Sequence, residues 1–434
     1  MGFTVPELLL DHSATDWGVV AVFALVYLGM LLGGLPRLKL DRSGVALLGA
    51  IAVIALTGMP LETAAKSVDV PTMVLLFAFM ILSAQMTLSG FYTEVTRRVG
   101  AMPLSRRGLL AALIAVAGGL SAVFSNDIVC LAMTPVVARL CLRRGLNPLP
   151  FLIALACAAN IGSAATLIGN PQNMLIGSVL ALDFGAYLRR ALPPVGLGLL
   201  VLWAWLAFGP GAREDAGAAL PARSLLLGAP DAPETDAPPF DRWQATKGLL
   251  VAVVLMAVFL FTDWPRGEAA MVGAGVLLMS RRVPASRVVG LVDGPLLILF
   301  MGLFVVNRAF EATGLAGEAV AWLTAQGVRL SEPGVLGVVN VGLANVVSNV
   351  PAVMLLLPHV GGSAAQATEA GTLMALVSTF AGNLLLVGSI ANLIVVDLAA
   401  KEGIALDARR HFATGLPVTL LSLAGVWAAQ RWLG

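Results

Sequence analysis

Apolar residues fill most of this chain in runs of about 15–20, close to the length that spans a hydrocarbon core. Polar positions gather in short loops and at a few isolated points inside the runs. The pattern predicts ten crossings, at roughly 17–35, 43–58, 70–91, 149–182, 191–209, 246–263, 268–280, 294–314, 372–400 and 412–432. Two more apolar stretches, 108–142 and 334–362, are interrupted near their middles by Ser125-Asn126 and Ser348-Asn349, and these predict re-entrant hairpins. The runs 149–182 and 372–400 are too long for one plain helix. They predict broken helices, with Gly162 and Gly169 as breakpoints in one and Gly382 and Gly388 in the other.

The interruptions come in matched sets. Pro135 follows Asn126, and Pro358 follows Asn349, at the same spacing of nine residues. Gly169-Asn170-Pro171-Gln172-Asn173 is echoed by Gly388-Ser389-Ile390-Ala391-Asn392, with Gly and Asn in register. Val68-Asp69-x-Pro71 matches Val292-Asp293-x-Pro295 at a shift of 224, as Gly90 matches Gly314 and Leu48-Gly49-Ala50 matches Val272-Gly273-Ala274. The Ser-Asn pairs match at 223 and the Gly-x-x-x-Asn elements at 219. One such match is weak evidence, but their order and nearly constant shift are strong. Each half then holds five crossings and one hairpin. Five is odd, so the second half enters the membrane with opposite orientation, and the hairpins dip in from opposite faces. The expected organisation is a first membrane repeat over 1–209, a cytoplasmic linker over 210–244 rich in Ala, Pro and Asp, and a second repeat over 245–434. The expected fold class is an all-α polytopic membrane protein built as this inverted repeat.

Composition agrees and narrows the function. Of 434 residues 58% are hydrophobic and 12% charged, with mean hydropathy +0.90; a soluble domain carries about 25% charged residues. The net charge of +2 gives no nucleic-acid signal, because the basic residues sit in short loops. Arg37, Lys39, Arg42, Arg97, Arg98, Arg106, Arg107, Arg139, Arg143, Arg144, Arg281, Arg282, Arg287, Arg409 and Arg410 all fall on one side if the N-terminus lies outside; Arg189 and Arg190 are the exceptions. Both termini are then expected outside, in a bacterial inner membrane. Residues 1–16 hold acids and no basic n-region, so no cleavable signal is expected. Cys130, Cys141 and Cys157 read as apolar filler rather than a disulfide framework. With no Cys/His cluster, no Ser-His-Asp set at depth and no nucleotide loop, the chain is expected not to be an enzyme.

A non-helical break in lipid must be buried or must line a polar cavity. Ser125, Asn126, Ser348 and Asn349 bring hydroxyls and amides that both donate and accept. Asn160, Thr166, Asn170 and Asn173 add to one side, and Asn383, Ser389 and Asn392 to the other. Half-helix N-termini add partial positive charge. These are the expected substrate-binding residues. For any single Asn or Ser, helix packing is the better explanation, since such side chains commonly join membrane helices. The matched sets shift the balance, although Thr166 and Asn383 have no repeat match of their own type. Asp127 follows Asn126 where the second half has Val350. An acid at bilayer depth is costly and usually functional, and burial favours the protonated form of a carboxylic acid. Asp127 is therefore the expected ion-coupling residue; the alternative is an N-cap for the following helix. Asn307 and Arg308 are polar positions late in the eighth crossing, where Arg308 is expected to snorkel or to pair with Glu311.

At these residues the chain resembles the ion transporter superfamily of arsenite permeases, sodium/proton antiporters and sodium-coupled dicarboxylate transporters. The Ser-Asn tips are similar to the Ser-Asn-Thr motifs with which the dicarboxylate carriers bind sodium and carboxylate, but Asp127 and Val350 stand where those have Thr. Phe124-Ser125-Asn126-Asp127 with Thr134-Pro135 is closer to arsenite permeases. Asn160-Ile161-Gly162-Ser163-Ala164-Ala165-Thr166, leading into Gly169-Asn170-Pro171-Gln172-Asn173, is similar to the plant silicic acid efflux transporters. So is Ala381-Gly382-Asn383-Leu384 leading into Gly388-Ser389-Ile390-Ala391-Asn392. The resemblance implies proton-driven efflux of arsenite or silicic acid. Coupled carriage of small organic or inorganic anions, or sodium/proton antiport, are the other readings. It implies no cofactor beyond the coupling ion, a proton or else sodium. The implied partners are a small-molecule or ion substrate and the lipid bilayer, not nucleic acid, with a homodimer left open. The inferred cavity elements contain no Lys, Arg or His, which suits a neutral hydroxy acid.

Overall fold

The computed structural model describes residues 12–35, 38–209, 238–360 and 363–433. Among these the chain is a helical polytopic fold, and its one sheet is a two-residue ladder of Gly34–Leu35 on Leu40–Asp41. Six described helices are long and apolar enough to cross a membrane: Ala14–Leu32, Val70–Leu88, Phe184–Phe208, Arg242–Phe261, Gly294–Ala312 and the last helix over Ala408–Gln430. Two other expected crossings are shorter. Arg42–Thr57 has 16 residues and Arg266–Leu278 has 13. At 1.5 Å per residue these reach roughly 24 and 20 Å, less than a hydrocarbon core of about 30 Å. Each is followed by a short helix, Leu61–Ser67 or Ala285–Val289.

The repeated signatures become repeated geometry. Asp69 caps Val70–Leu88 by accepting from Thr72 N at 2.8 Å, and Asp293 caps Gly294–Ala312 by accepting from Leu296 N at 2.9 Å. Pro71 and Pro295 sit in the first turns, where an amide would lack a partner anyway. Gly90 (φ 68°) and Gly314 (φ 80°) then take left-handed conformations that a side chain would strain. Each glycine opens an 11-residue helix, Phe91–Ala101 or Leu315–Ala325. The hydropathy pattern does not predict either helix, because both are too short to span and Phe91–Ala101 mixes Glu94, Arg97 and Arg98 with its apolar residues.

Packing across the halves is reciprocal. Arg42–Thr57 lies on Gly294–Ala312, and its counterpart Arg266–Leu278 lies on Val70–Leu88. Each element and its repeat mate thus exchange partners, as a pseudo-two-fold axis requires. Phe184–Phe208 packs on its own counterpart, Ala408–Leu433, which places that pair at the axis. Gly302 lets one of these crossings close: a Cβ there would sit 2.7 Å from the Ala46 backbone, the small-residue contact typical of membrane helices.

Four interrupted segments carry the candidate site residues. The first hairpin is Arg106–Ser121 and Asn126–Arg143, joined by residues 122–125. The second is Pro333–Val347 and Asn349–Leu356, ending in a 3-10 turn at Leu357–His359. Only Ser348 separates its arms, at φ 77°, a strained conformation for a non-glycine residue. Pro135 and Pro358 share a spacing in sequence but not a setting: Pro135 lies inside a continuous helix, and Pro358 in the closing turn. The broken crossings are Leu149–Ser163 with Pro171–Val179, and Ala364–Ala381 with Ile390–Lys401. The latter begins eight residues before the expected 372. The crossing expected at 191–209 begins at Phe184, where Asp183 caps it, and continues through Pro193 and Pro194. Arg189 and Arg190 broke the apolar pattern there and hid its first turns. Of the expected linker, residues 210–237 lie outside the described residues. Pro238 and Phe240 lie against Gly90, Asp241 N donates to Ser89 O at 2.9 Å, and the next helix starts at Arg242.

Candidate functional site

In the first half the chain leaves the helix over residues 164–170. Side chains supply what the missing helix would have supplied. Asn170 caps Pro171–Val179, accepting from Asn173 N at 2.9 Å, and its Nδ2 donates to Ser163 Oγ at 2.9 Å. Asn173 Nδ2 donates to Thr166 O at 3.0 Å and to the Tyr187 hydroxyl at 3.1 Å. That hydroxyl donates onward to Ala164 O at 2.7 Å. The break also holds the first tip: Thr166 Oγ1 donates to Ala122 O at 2.5 Å, and Asn126 N donates to Gly169 O at 3.2 Å.

The second half does the same with other residues. Asn392 Nδ2 donates to Gly382 O at 2.8 Å and Leu385 O at 3.2 Å. His411 Nε2 lies 3.0 Å from Asn383 O. Asn345 Nδ2 donates to Ala381 O at 3.1 Å. The Asn349 amide, oriented as its neighbours require, donates to Ser378 O and Gly388 O, each at 3.1 Å. The second tip is therefore docked on its own half's break. Tyr187 and His411 stand 224 residues apart and brace carbonyls 219 apart, Ala164 and Asn383. They are repeat counterparts that the motif search missed. The constant shift could have found them, but a phenol and an imidazole do not look alike in sequence.

Asn160 joins the halves. It lies in the last turn of Leu149–Ser163 and is 1% exposed. Its Oδ1 accepts from Asn126 Nδ2 at 3.1 Å and Ser389 Oγ at 3.0 Å. Its Nδ2 donates to Asn383 Oδ1 at 3.0 Å and Asn392 Oδ1 at 3.1 Å. One amide thus fills its full hydrogen-bonding capacity across the first tip and the second break. Two atoms of this network have no partner among the described residues: Asn126 Oδ1, an acceptor, and Asn383 Nδ2, a donor. Both side chains are buried.

The structure therefore brings Asn126, Asn160, Asn383, Ser389 and Asn392 together. Thr166, Asn170 and Asn173 gather at the first break, tied to the helix Ala364–Ala381 through Thr379, whose Oγ1 accepts from Asn170 Nδ2 at 3.3 Å and Gln172 Nε2 at 3.2 Å. Asn349 stays with Gly382 and Gly388. Ser125 occupies the N-cap position of Asn126–Arg143 without a side-chain cap bond, and Ser348 forms the second tip. Asp127 lies in the first turn of that helix, not at its cap, so the capping alternative for Asp127 does not hold. Arg308 lies 3.8 Å from Glu311, the pairing expected of it. Arg139 forms a two-point ion pair with Glu402, at 2.7 and 3.1 Å, linking the long arm of the first hairpin to the end of Ile390–Lys401.

Gly169 and Gly388 lie within the breaks, and Gly382 caps its helix. Gly162 is different: it sits inside the helix, against Gly118, where a Cβ would collide with the Gly118 backbone. It makes a close helix crossing one residue before its helix ends. Gly162→Ala is expected to force these helices apart at about 1–3 kcal/mol, as overpacking does. A lowered thermal midpoint of the purified protein checks this, with Gly119→Ala as the near-neutral control, since nothing lies within 4 Å of that position.

Comparison with known proteins gives the family and the fold. A family model described as "CitMHS: Citrate transporter" matches residues 23–381. The rice "Silicon efflux transporter LSI3" is 30% identical, with 93% of this chain and 95% of that one covered. A "Putative transporter arsB" of Dictyostelium discoideum is 23% identical, with 89% and 86% covered. Among solved structures, the Alcanivorax borkumensis YdaH transporter matches with a TM-score of 0.58 at 16% identity, over 97% of this chain and 98% of that one. At that identity the likeness concerns the fold alone.

Proposed function

We propose a function from one premise: this chain belongs to the CitMHS citrate transporter family and is an integral membrane transporter, not an enzyme. The proposed activity is proton-coupled efflux of a small neutral metalloid hydroxy acid, silicic acid or arsenite in its uncharged form. One observation carries it. The Asn160 network leaves one buried acceptor, Asn126 Oδ1, and one buried donor, Asn383 Nδ2. A hydroxyl group donates and accepts at once, so a polyhydroxylated solute satisfies both. Leaving a buried polar atom unpaired costs about 1–3 kcal/mol, and pairing it recovers that cost. No Lys or Arg belongs to the network. The name of the rice relative, a silicon efflux transporter, supports the same solute class.

In this reading the repeats 1–209 and 245–434 present their tips from opposite faces, with both termini outside a bacterial inner membrane. Ser125, Ser348 and Asn349 complete the solute's surroundings, and Asn173 and Asn392 hold the breaks open beside it. A second reading has the family description behind it: coupled carriage of a small organic anion such as citrate. There the half-helix N-termini at Asn170 and Ser389 stand in for a basic residue.

Proteoliposomes separate the two. An imposed pH gradient is expected to concentrate silicic acid or arsenite without sodium and to leave citrate unmoved. Sodium-dependent citrate flux, with neither metalloid acid transported, sinks the first reading and supports the second.

A further inference from the structure

Two hydrogen-bonded ties cross between the halves, and they run in opposite directions. Asn160, in the last turn of Leu149–Ser163, bonds Ser389 and Asn392 at the second break. Thr379, in the last turn of Ala364–Ala381, bonds Asn170 and Asn173 at the first break. Thr379 stands 219 residues after Asn160, as Ser389 does after Asn170 and Asn392 after Asn173. Each helix therefore braces the other half's break from a matching position. An amide serves in one direction and a hydroxyl in the other.

The Thr379 hydroxyl is fully used. It carries one proton and two lone pairs. The proton has Ala375 O at 2.7 Å and Asn173 Oδ1 at 3.4 Å, and the lone pairs accept from Asn170 Nδ2 at 3.3 Å and Gln172 Nε2 at 3.2 Å. All four side chains are buried. Gly169, the residue before Asn170, presents the carbonyl that accepts from Asn126 N at 3.2 Å. One peptide bond thus separates the residue that Thr379 holds from the carbonyl that holds the first tip. The second tip is docked differently: the Asn349 amide donates to the backbone carbonyls of Ser378 and Gly388, which the Thr379 side chain does not supply.

We infer that Thr379 is a positioning residue for Asn126: a hydroxyl of the second half fixes the amide at the tip of the first. The two crossed ties join the breaks into one unit, so a shift at either break is passed to the other. The effect of Thr379 on solute binding rests on the role proposed above for Asn126; its effect on the tip does not.

Amide hydrogen exchange of the purified full chain tests this, because local opening sets the exchange rate of a protected amide. Thr379→Val keeps the side chain's shape and removes the hydroxyl. It is expected to speed exchange at the first tip, residues 122–128, by about 5-fold, as loss of one hydrogen bond implies. The second tip, residues 347–352, is expected to exchange as in wild type, although Thr379 belongs to its own half. Thr379→Ser is expected to restore wild-type exchange at the first tip. Gln172→Met leaves the hydroxyl and removes one of its donors; it is the second variant, expected to act in the same direction. Equilibrium dialysis against labelled germanic acid, an analogue of silicic acid, gives the second readout. Thr379→Val is expected to weaken binding by about 3- to 10-fold and to add nothing in an Asn126→Ala background, since residues acting through one group are not additive. Wild-type exchange at the first tip in both Thr379→Val and Gln172→Met, equal loosening of both tips, failure of Thr379→Ser to restore the first tip, or a full further loss of binding in Asn126→Ala overturns the assignment. If wild type binds no germanic acid, the proposed function falls, and exchange at the two tips still decides the place of Thr379.

Discussion

Asp127→Asn is expected to abolish accumulation driven by a pH gradient while leaving solute binding close to wild type. Asp127 is the only acid in the two tips and two breaks, and its repeat counterpart is Val350. It follows Asn126, whose amide bonds the Asn160 hub. Because Asp127 does not cap its helix, the substitution breaks no cap and keeps the side chain's size. What it removes is the ability to take up and release a proton. A one-unit pH gradient supplies about 1.4 kcal/mol per proton, or about tenfold accumulation for one-to-one exchange. Wild-type proteoliposomes should approach that ratio, and the variant should show none. Counterflow moves no net proton and should persist in the variant. Wild-type accumulation by Asp127→Asn would remove Asp127 from the coupling step and point to sodium at Ser125 or Ser348.

Asn160→Ala is expected to have the largest effect on binding. It leaves Asn126 Nδ2, Asn383 Oδ1, Asn392 Oδ1 and Ser389 Oγ without the partner that joins them. Each buried group left unpaired costs about 1–3 kcal/mol, and losses within one network do not simply add. A loss of about 3 kcal/mol overall corresponds to roughly 100-fold in affinity. The thermal midpoint should fall as well, because the same amide ties the first tip to the second break. Asn345→Ala is the matched control: it removes bonds to Val341 O and Ala381 O and touches no atom of the hub. If folded Asn160→Ala binds solute as wild type does, the network is a structural tie and the solute lies elsewhere.

Much of the site was legible because its signals are local. A Ser-Asn pair inside an apolar run marks a break, since amides and hydroxyls there need partners that lipid cannot supply. An Asp-x-Pro before a long apolar run marks a helix start, which is how Asp69 and Asp293 came to match. Asn173 and Asn392 sit at their breaks as the spacing indicated. The failures were local too. The helices Phe91–Ala101 and Leu315–Ala325 are too short for a hydropathy run. Gly162 lies in the last turn before the break, where the sequence placed it, but its contact with Gly118 is with a neighbour in space that no window of sequence contains.

The sequence by itself determined that the chain is a repeated, polytopic helical membrane protein with two tips and two breaks, because hydrophobic runs and helix-breaking residues act through the backbone nearby. Only the tertiary structure decided which polar groups meet. Asn160 and Asn383 are 223 residues apart, the shift of the Ser-Asn pairs, but only the structure shows that Asn160 bonds Asn383, Ser389 and Asn392 from the other half at once. Tyr187 and His411 brace breaks more than twenty residues upstream. Asp127 could have been a cap on sequence grounds, and the register of its helix showed that it is not. The reason is the same in each case. Hydrogen bonds between helices are set by how the two halves pack, and that packing joins side chains that no local window of sequence holds together.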